Sequence, residues 1–212
     1  TENNGNPKHS VTIFLSEGAV LMPMDKGSLY YRIPSITATV DGKRLVTLTD
    51  DRKQHNSDLP SHCYLVAQYS EDNGKTWSEP KDIAEDVYAM FDKCSRGPVR
   101  AMFIGSGKIH QSRYTKTGKY YRLYCSNLVT DVNGARLNYV LYSDDFGDTW
   151  KVLGDKEDVP IINGDEPKVE ELPDGRIIIS SRCGGGRLFN IFDFENKEQA
   201  TGNWGKQAFS GA

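Results

Sequence analysis

Long apolar runs are missing from this 212-residue sequence. No stretch approaches the roughly 20 residues that a membrane-crossing helix needs, so no helical membrane anchor is expected within it. An excess of charge is missing too: 26 Lys and Arg against 29 Asp and Glu leave a formal net charge of −3. So even a balance gives no reason to expect nucleic acid or an anionic membrane surface as partner. Cysteine is sparse. Cys63, Cys94, Cys125 and Cys183 are separated by 31, 31 and 58 residues, which fits no zinc-ligand spacing. Buried single thiols are the simplest expectation, with a pair of disulfides as the alternative in an oxidising compartment. Helical periodicity is scarce as well, and only PKDIAEDVYAMFDK (80–93) reads as partly helical. The opening TENNGNPKHS is polar and is not itself a signal peptide, but it resembles what is left after one has been removed. A secreted or periplasmic location is the corresponding expectation, with residues 1–9 read as a disordered polar segment.

Turn chemistry is plentiful. Glycine occurs 20 times, and Asp41-Gly42, Asn73-Gly74, Thr117-Gly118, Asn133-Gly134, Phe146-Gly147 and Asp174-Gly175 punctuate the chain at short intervals. Between them lie short alternating or apolar runs such as RLVTLTD (44–50), CYLVAQYS (63–70), YYRLYCSNL (120–128), LNYVLYS (137–143) and RIIISSR (176–182). Eleven Tyr and eight Phe suit these runs better as strands than as helices. The pattern predicts an all-β, antiparallel protein.

One turn is written twice. QYSEDNGKTW (68–77) returns 73 residues later as LYSDDFGDTW (141–150), identical at Tyr69/Tyr142, Ser70/Ser143, Asp72/Asp145, Gly74/Gly147, Thr76/Thr149 and Trp77/Trp150. A repeat at long fixed interval suggests stacked or radial units, and a propeller blade takes about 40–45 residues in the best-known repeats. On that measure the two copies are expected two compact blades apart. Within each copy the aspartate should bond the backbone N–H groups ahead of it, the glycine should supply positive φ, the threonine should begin the next strand, and the tryptophan should tuck beneath the turn. These are structural tasks, and metal or substrate binding by the aspartates is the weaker alternative.

The two copies resemble the Asp-boxes of sialidases (neuraminidases) and related bacterial-neuraminidase-repeat propellers. Three further stretches are similar to sialidase motifs. YYRIPSI (30–36) looks like the Phe/Tyr-Arg-Ile-Pro motif, which implies that Arg32 grips the substrate carboxylate. In TDDRKQHNSDLPSHCYLV (49–66) the resemblance implies Arg52 as a secondary substrate contact and Asp58 as general acid/base, with Asp50 and Asp51 as competitors and His55 and His62 as bystanders. GDEPKVEELPDGRIIISSR (164–182) resembles Glu-Pro-x-Val-x-Glu followed by Asp-Gly and Arg. It implies Glu166 as a buried carboxylate that activates a nucleophilic tyrosine, Arg182 as a second carboxylate-binding arginine, and Glu170 and Glu171 as structural. Arginine suits the role because its planar fork pairs with a carboxylate through two bonds.

The resemblance covers roughly residues 10–195. It implies a six-bladed β-propeller, incomplete in this chain with about three to four blades present, over residues 10–212, and leaves 195–212 as loop or the start of an insertion. The family's third arginine and its catalytic tyrosine find no match, since Tyr120, Tyr121, Tyr124, Tyr139 and Tyr142 come too early. The implied activity is an exo-α-sialidase acting on sialylated glycans, needing no metal or cofactor, with the rest of the propeller as a further partner. One departure bears on specificity: SRGPVRAMF (95–103) has Gly97 where the family usually carries an acid near the N-acetyl group, and Arg96 or Arg100 alters the local charge. A glycosidase for another 2-keto-3-deoxy acidic sugar, and a non-catalytic sugar-binding propeller, are the alternatives.

Overall fold

The computed structural model describes residues 30–41, 43–52, 64–105 and 107–211. The first sheet is a meander of β1 (Tyr30–Ala38), β2 (Leu45–Arg52), β3 (Tyr64–Ser70) and β4 (Lys81–Asp82), followed by the short helix α1 (Ala84–Ala89). The second sheet collects β5 (Val99–Ile104), β7 (His110–Thr117), β8 (Tyr120–Asp131), β9 (Arg136–Ser143), β10 (Lys151–Val152) and β11 (Ile161–Ile162), while β6 (Gly107–Lys108) leaves it to pair in parallel with β1. The third sheet contains β12 (Asp165–Glu171), β13 (Ile177–Cys183), β14 (Gly186–Asn196), β15 (Thr201–Trp204) and β16 (Ala208–Gly211). Each sheet begins at one edge and is wound strand by strand toward the other, in the manner of a propeller blade. Among the described residues there are three such blades, and they do not close into a ring. The all-β expectation holds, and the weak helical signal at 80–93 corresponds to α1.

Two expectations are corrected. The repeated turns connect β3 to β4 and β9 to β10, so they lie in successive blades and not two blades apart. The intervening length is taken up by α1 and by the broken first strand of the second blade, β5–β6–β7. Residues 195–211 also form strands where a loop was expected: β14 runs to Asn196, and β15 and β16 both pair with it. Trp204 anchors this hairpin, with its ring 5.1 Å from that of Phe192 and its Nε1–H donated to Leu153 O at 3.1 Å.

The middle blade is covered on both faces, which explains the nearly unbroken burial of β8 and β9. Leu123, Cys125, Val129, Tyr139 and Leu141 point into a core shared with Leu48, Leu65, Val87 and Phe91 of the first blade and its helix. Their neighbours Tyr124, Val140 and Tyr142 enter a second core with Val169, Ile177, Ile179 and Phe192 of the third. Cys94, Cys125 and Cys183 are free thiols, and burial raises the Cys125 pKa; Cys63 lies outside the described residues. Arg122, fully buried, spans the same junction: it takes both Asp144 oxygens at 2.7 and 2.9 Å and donates to the carbonyls of Lys197 and Glu198. A buried guanidinium is tolerable only with such pairing.

The first strands of the three blades are joined by a chain of hydrogen bonds. Ser35 Oγ in β1 donates to Gly105 O at 2.5 Å, Gly105 N donates to Ser126 O at 2.7 Å, and Ser126 Oγ donates to Pro167 O in β12 at 2.7 Å. Gly105 admits no side chain, because a Cβ there would stand 2.1 Å from Ser126 Oγ and 2.3 Å from Pro167 O.

The repeated turns share one geometry. Asp72 accepts from Thr76 N and Thr76 Oγ1 at 2.8 and 2.7 Å, and Asp145 from Thr149 N and Oγ1 at 2.8 and 2.6 Å. Asn73-Gly74 and Phe146-Gly147 both adopt positive φ, and the Trp77 and Trp150 indoles donate to Gly74 O and Gly147 O. The threonines do not begin strands as expected. They close the aspartate cap, and β4 starts only at Lys81. The second copy also wedges against the first blade: Tyr69 donates its hydroxyl to Gly147 O at 2.8 Å, and the Arg44 guanidinium lies 4.9 and 5.3 Å from the ring centres of Tyr69 and Phe146.

Gly105→Ala should lower unfolding free energy by about 1–3 kcal/mol in denaturant titrations, since the inserted methyl has no free volume. Backbone and side-chain hydrogen bonds from Thr76 hold Asp72 down at about 2, below its ordinary 3.8. Its contribution is therefore present above pH 3.8 and lost as pH falls toward about 2. Asp72→Asn should flatten that part of the stability–pH curve, and an unchanged curve would refute the assignment.

Candidate active site

The first strand of every blade carries one extra residue near its beginning. Pairing slips between Arg32 and Ser35 in β1, between Val99 and Ala101 in β5, and between Asp165 and Lys168 in β12. The prolines explain two of the slips: Pro34 and Pro167 have no N–H to give to a ladder. Bulges re-aim the side chains around them. Just before the bulge stand equivalent charged rungs, Arg32 opposite Asp50 in the first blade and Asp165 opposite Arg182 in the third. The sequence motifs on β1 and β12 thus occupy corresponding ends of corresponding strands.

The best-defined constellation is on the third blade. The turn Pro173-Asp174-Gly175, with Gly175 at φ +83°, returns the chain so that β13 delivers Arg182 beside the start of β12. Arg182 Nη2 lies 3.0 Å from Asp165 Oδ2, and Nη1 lies 3.4 Å from Glu166 Oε2. The hydrogen bond to Asp165 and then the charge of Glu166 raise the Arg182 pKa above its ordinary value. Glu166 sits in the bulge at φ +47°, its N–H donated to Asp165 Oδ1 at 2.9 Å. Such a φ is uncommon away from glycine and is held by the surrounding contacts. The expectation that Glu166 is buried does not hold within this chain: its side chain is 57 % exposed and lies beside Arg182, itself 56 % exposed.

Residues that sequence reasoning missed hold this pair in place. Asn138 in β9 is wholly buried, donates to Gly164 O at 3.2 Å and accepts from Ser181 Oγ. It therefore fastens the residue before Asp165 and the residue before Arg182 to the middle blade. Arg136, also in β9, places Nη1 3.0 Å from the same Asp165 oxygen that Arg182 uses. Only the adjacency of Asp165 to Glu166 could have pointed to it from sequence. Farther along β12, Glu171 is buried as expected of a structural acid, accepting from Ser112 Oγ and Arg113 N, both at 2.6 Å. Burial alone would raise its pKa, but His110, Arg113 and Ser112 outweigh it and the carboxylate is held below its ordinary range. His110, which sequence reasoning passed over, lies with Nδ1 2.6 Å from Glu170 Oε1.

Arg32 and Arg52 are placed by backbone alone, Arg32 opposite Asp50 and Arg52 opposite Tyr30. Asp58, with His55 and His62, lies outside the described residues. Gly97, where an acid was expected from the family pattern, adopts φ +85° in the turn before β5, flanked by exposed Arg96 and Arg100. An open cleft of about 560 Å³ lies elsewhere, lined by Met90, Trp150, Lys156, Glu195 and Thr201 among others. Apart from Trp150 of the second repeated turn, it gathers none of the expected site residues. No helix among the described residues is long and apolar enough to cross a membrane.

Fold and turns together define an Asp-box β-propeller: the BNR/Asp-box repeat family matches residues 68–79 and 141–152. The chain is 35 % identical over 98 residues to Sialidase B of Streptococcus pneumoniae serotype 4 (strain ATCC BAA-334 / TIGR4), a match covering 42 % of this chain and 14 % of that protein. Its fold is similar to that of the Hadza microbial sialidase Hz136, with a TM-score of 0.52 at 17 % identity over 80 % of this chain and 45 % of the other. Trypanosoma rangeli sialidase in complex with 2,3-difluorosialic acid gives a TM-score of 0.55 at 23 % identity, over 79 % of this chain and 27 % of the other. The chain thus spans less than half the length of each of these relatives.

Removing the Asn138 side chain leaves a buried carbonyl and a buried hydroxyl without their partner. Asn138→Ala should cost about 1–3 kcal/mol in denaturant unfolding, and an unperturbed midpoint would show that Asn138 does not brace the site.

Proposed function

We propose that this chain is part of an exo-α-sialidase that removes terminal sialic acid from glycoconjugates with retention of configuration. The observation that carries the proposal is the pairing of Glu166 with Arg182 at 3.4 Å, on adjacent strands at the bulged end of a blade. Arg182, together with Arg32 and a third arginine outside this chain, binds the sugar's carboxylate, and Arg52 makes a secondary contact. The anomeric carbon of such a sugar already bears a negative group, so a carboxylate nucleophile would approach a like charge. A neutral tyrosine avoids the repulsion, provided a base takes its proton. Glu166 is that base in this reading, and its exposure leaves it accessible to a phenol supplied from outside this chain. Asp58 protonates the leaving glycosidic oxygen, and its carboxylate then activates the water that releases the sugar.

The reading is supported by the likeness to Sialidase B and by a neighbour of the same fold that holds 2,3-difluorosialic acid as a covalent intermediate. Sialylated glycans displayed outside the cell are the substrates, which accords with a secreted or periplasmic enzyme, and the remainder of the propeller is the partner that completes the pocket. A second reading keeps the carboxylate chemistry and changes the sugar. Gly97 replaces the usual acid near the N-acetyl group, and T. rangeli sialidase, similar in fold at a TM-score of 0.55, has been captured with a 2-keto-3-deoxy-nononic acid derivative.

The protein containing this chain in full should release the aglycone from an aryl sialoside, and Asp58→Ala or Glu166→Gln should lower kcat/KM by about 100-fold or more. Parallel assays with the N-acetylated and the 2-keto-3-deoxy glycosides separate the two sugars. A folded protein that cleaves neither would refute the enzymatic reading.

A further inference from the structure

Four charged groups meet at the start of β12: Asp165, Glu166, Arg136 and Arg182. Arg136 and Arg182 approach one oxygen, Asp165 Oδ2, from two different strands and two different blades, each at 3.0 Å. The arrangement has a consequence for Arg182. Paired only with Asp165 and Glu166, its charge would be outweighed, and the cluster would carry a net −1 facing any anionic ligand. Arg136 brings the cluster to neutrality. It does so from the side, through Asp165, without occupying the face of Arg182 that remains open: the Arg182 side chain is 56 % exposed and that of Arg136 57 % exposed, whereas Asp165 between them is 24 % exposed. The carboxylate they share is thus the most sheltered member, and the two guanidiniums flank it.

Resting on the reading of Arg182 as a carboxylate-binding group, we infer that Arg136 is a positioning residue for substrate: by neutralising Asp165 it keeps the Arg182 guanidinium electrostatically available to the carboxylate of an acidic sugar. It acts on binding and not on bond breaking, because it belongs to neither the acid/base pair nor the nucleophile. Charges a few ångströms apart in a half-exposed site interact appreciably, and salt weakens the interaction.

The test is a double-mutant cycle in the protein containing this chain in full. Arg136→Gln should raise KM for an aryl sialoside, and Kd for free sialic acid measured by calorimetry, by about threefold to tenfold at low salt, leaving kcat unchanged. Arg136→Lys, which keeps the charge, should restore most of the loss. In an Asp165→Asn background, where there is no carboxylate to neutralise, Arg136→Gln should have little effect. An equal penalty in both backgrounds, a loss in kcat alone, or no change in KM and Kd would overturn the inference. A wild-type protein that binds sialic acid without cleaving sialosides would remove the enzymatic reading while leaving the Kd cycle to decide the role of Arg136. A wild type that binds no carboxylated sugar removes both.

Discussion

The contact on which the architecture depends is the meeting of three first strands at Gly105. A single blade is an antiparallel sheet with two open edges and two faces, and it cannot bury both faces by itself. Here the middle blade is enclosed by its neighbours: the hydrogen bonds from Ser35 to Gly105 and from Ser126 to Pro167 cross to the blades on either side, and the bond from Gly105 to Ser126 links them within the middle blade. The backbone must pass so close to Pro167 and Ser126 that only glycine fits. Everything farther out follows from that spacing, including the two apolar cores and the wedge formed by the second repeated turn.

The same junction leads to the candidate active site. Pro167 belongs to the bulge that presents Glu166, so the bond from Ser126 holds the far side of the bulge while Asn138 holds Gly164 and Ser181 on the near side. Charged side chains at the site are exposed, but the backbone that carries them is pinned from beneath by buried, neutral hydrogen bonds. This division is physically sensible. Arginines and carboxylates that must meet a ligand cannot be locked by burial without a large desolvation cost, whereas uncharged amide and hydroxyl groups can.

Much of this was legible from residues alone. Turn dipeptides at short intervals and aromatic-rich alternating runs indicated antiparallel β structure, and the copied turn gave both the repeat and its internal hydrogen bonding. What misled was length. The 73-residue separation of the repeats suggested two units, yet it spans one, because the inserted helix, only weakly signalled at 80–93, and the interruption of the first strand between β5 and β7 lengthen a single blade-to-blade step. The final hairpin was missed for a related reason: ENKEQATGNWGKQAFSGA lacks alternation, and its strands are secured by Trp204 and by pairing to β14.

The sequence by itself determined the strand-rich class and the turn geometry, because each rests on local chemistry: which residues accept positive φ and which lack an N–H. The candidacy of Arg32, Arg52, Asp58, Glu166 and Arg182 came from the resemblance of their stretches to sialidase motifs. Tertiary structure decided the rest. That blades follow one another directly, that each first strand bulges at the same end, that Glu166 is turned outward, and that Arg136 and Arg182 share Asp165 are relations between segments far apart in the chain. Arg136 and Asp165 are 29 residues apart in sequence and 3.0 Å apart in space. No local propensity encodes that distance; it is set by the packing of one blade against the next.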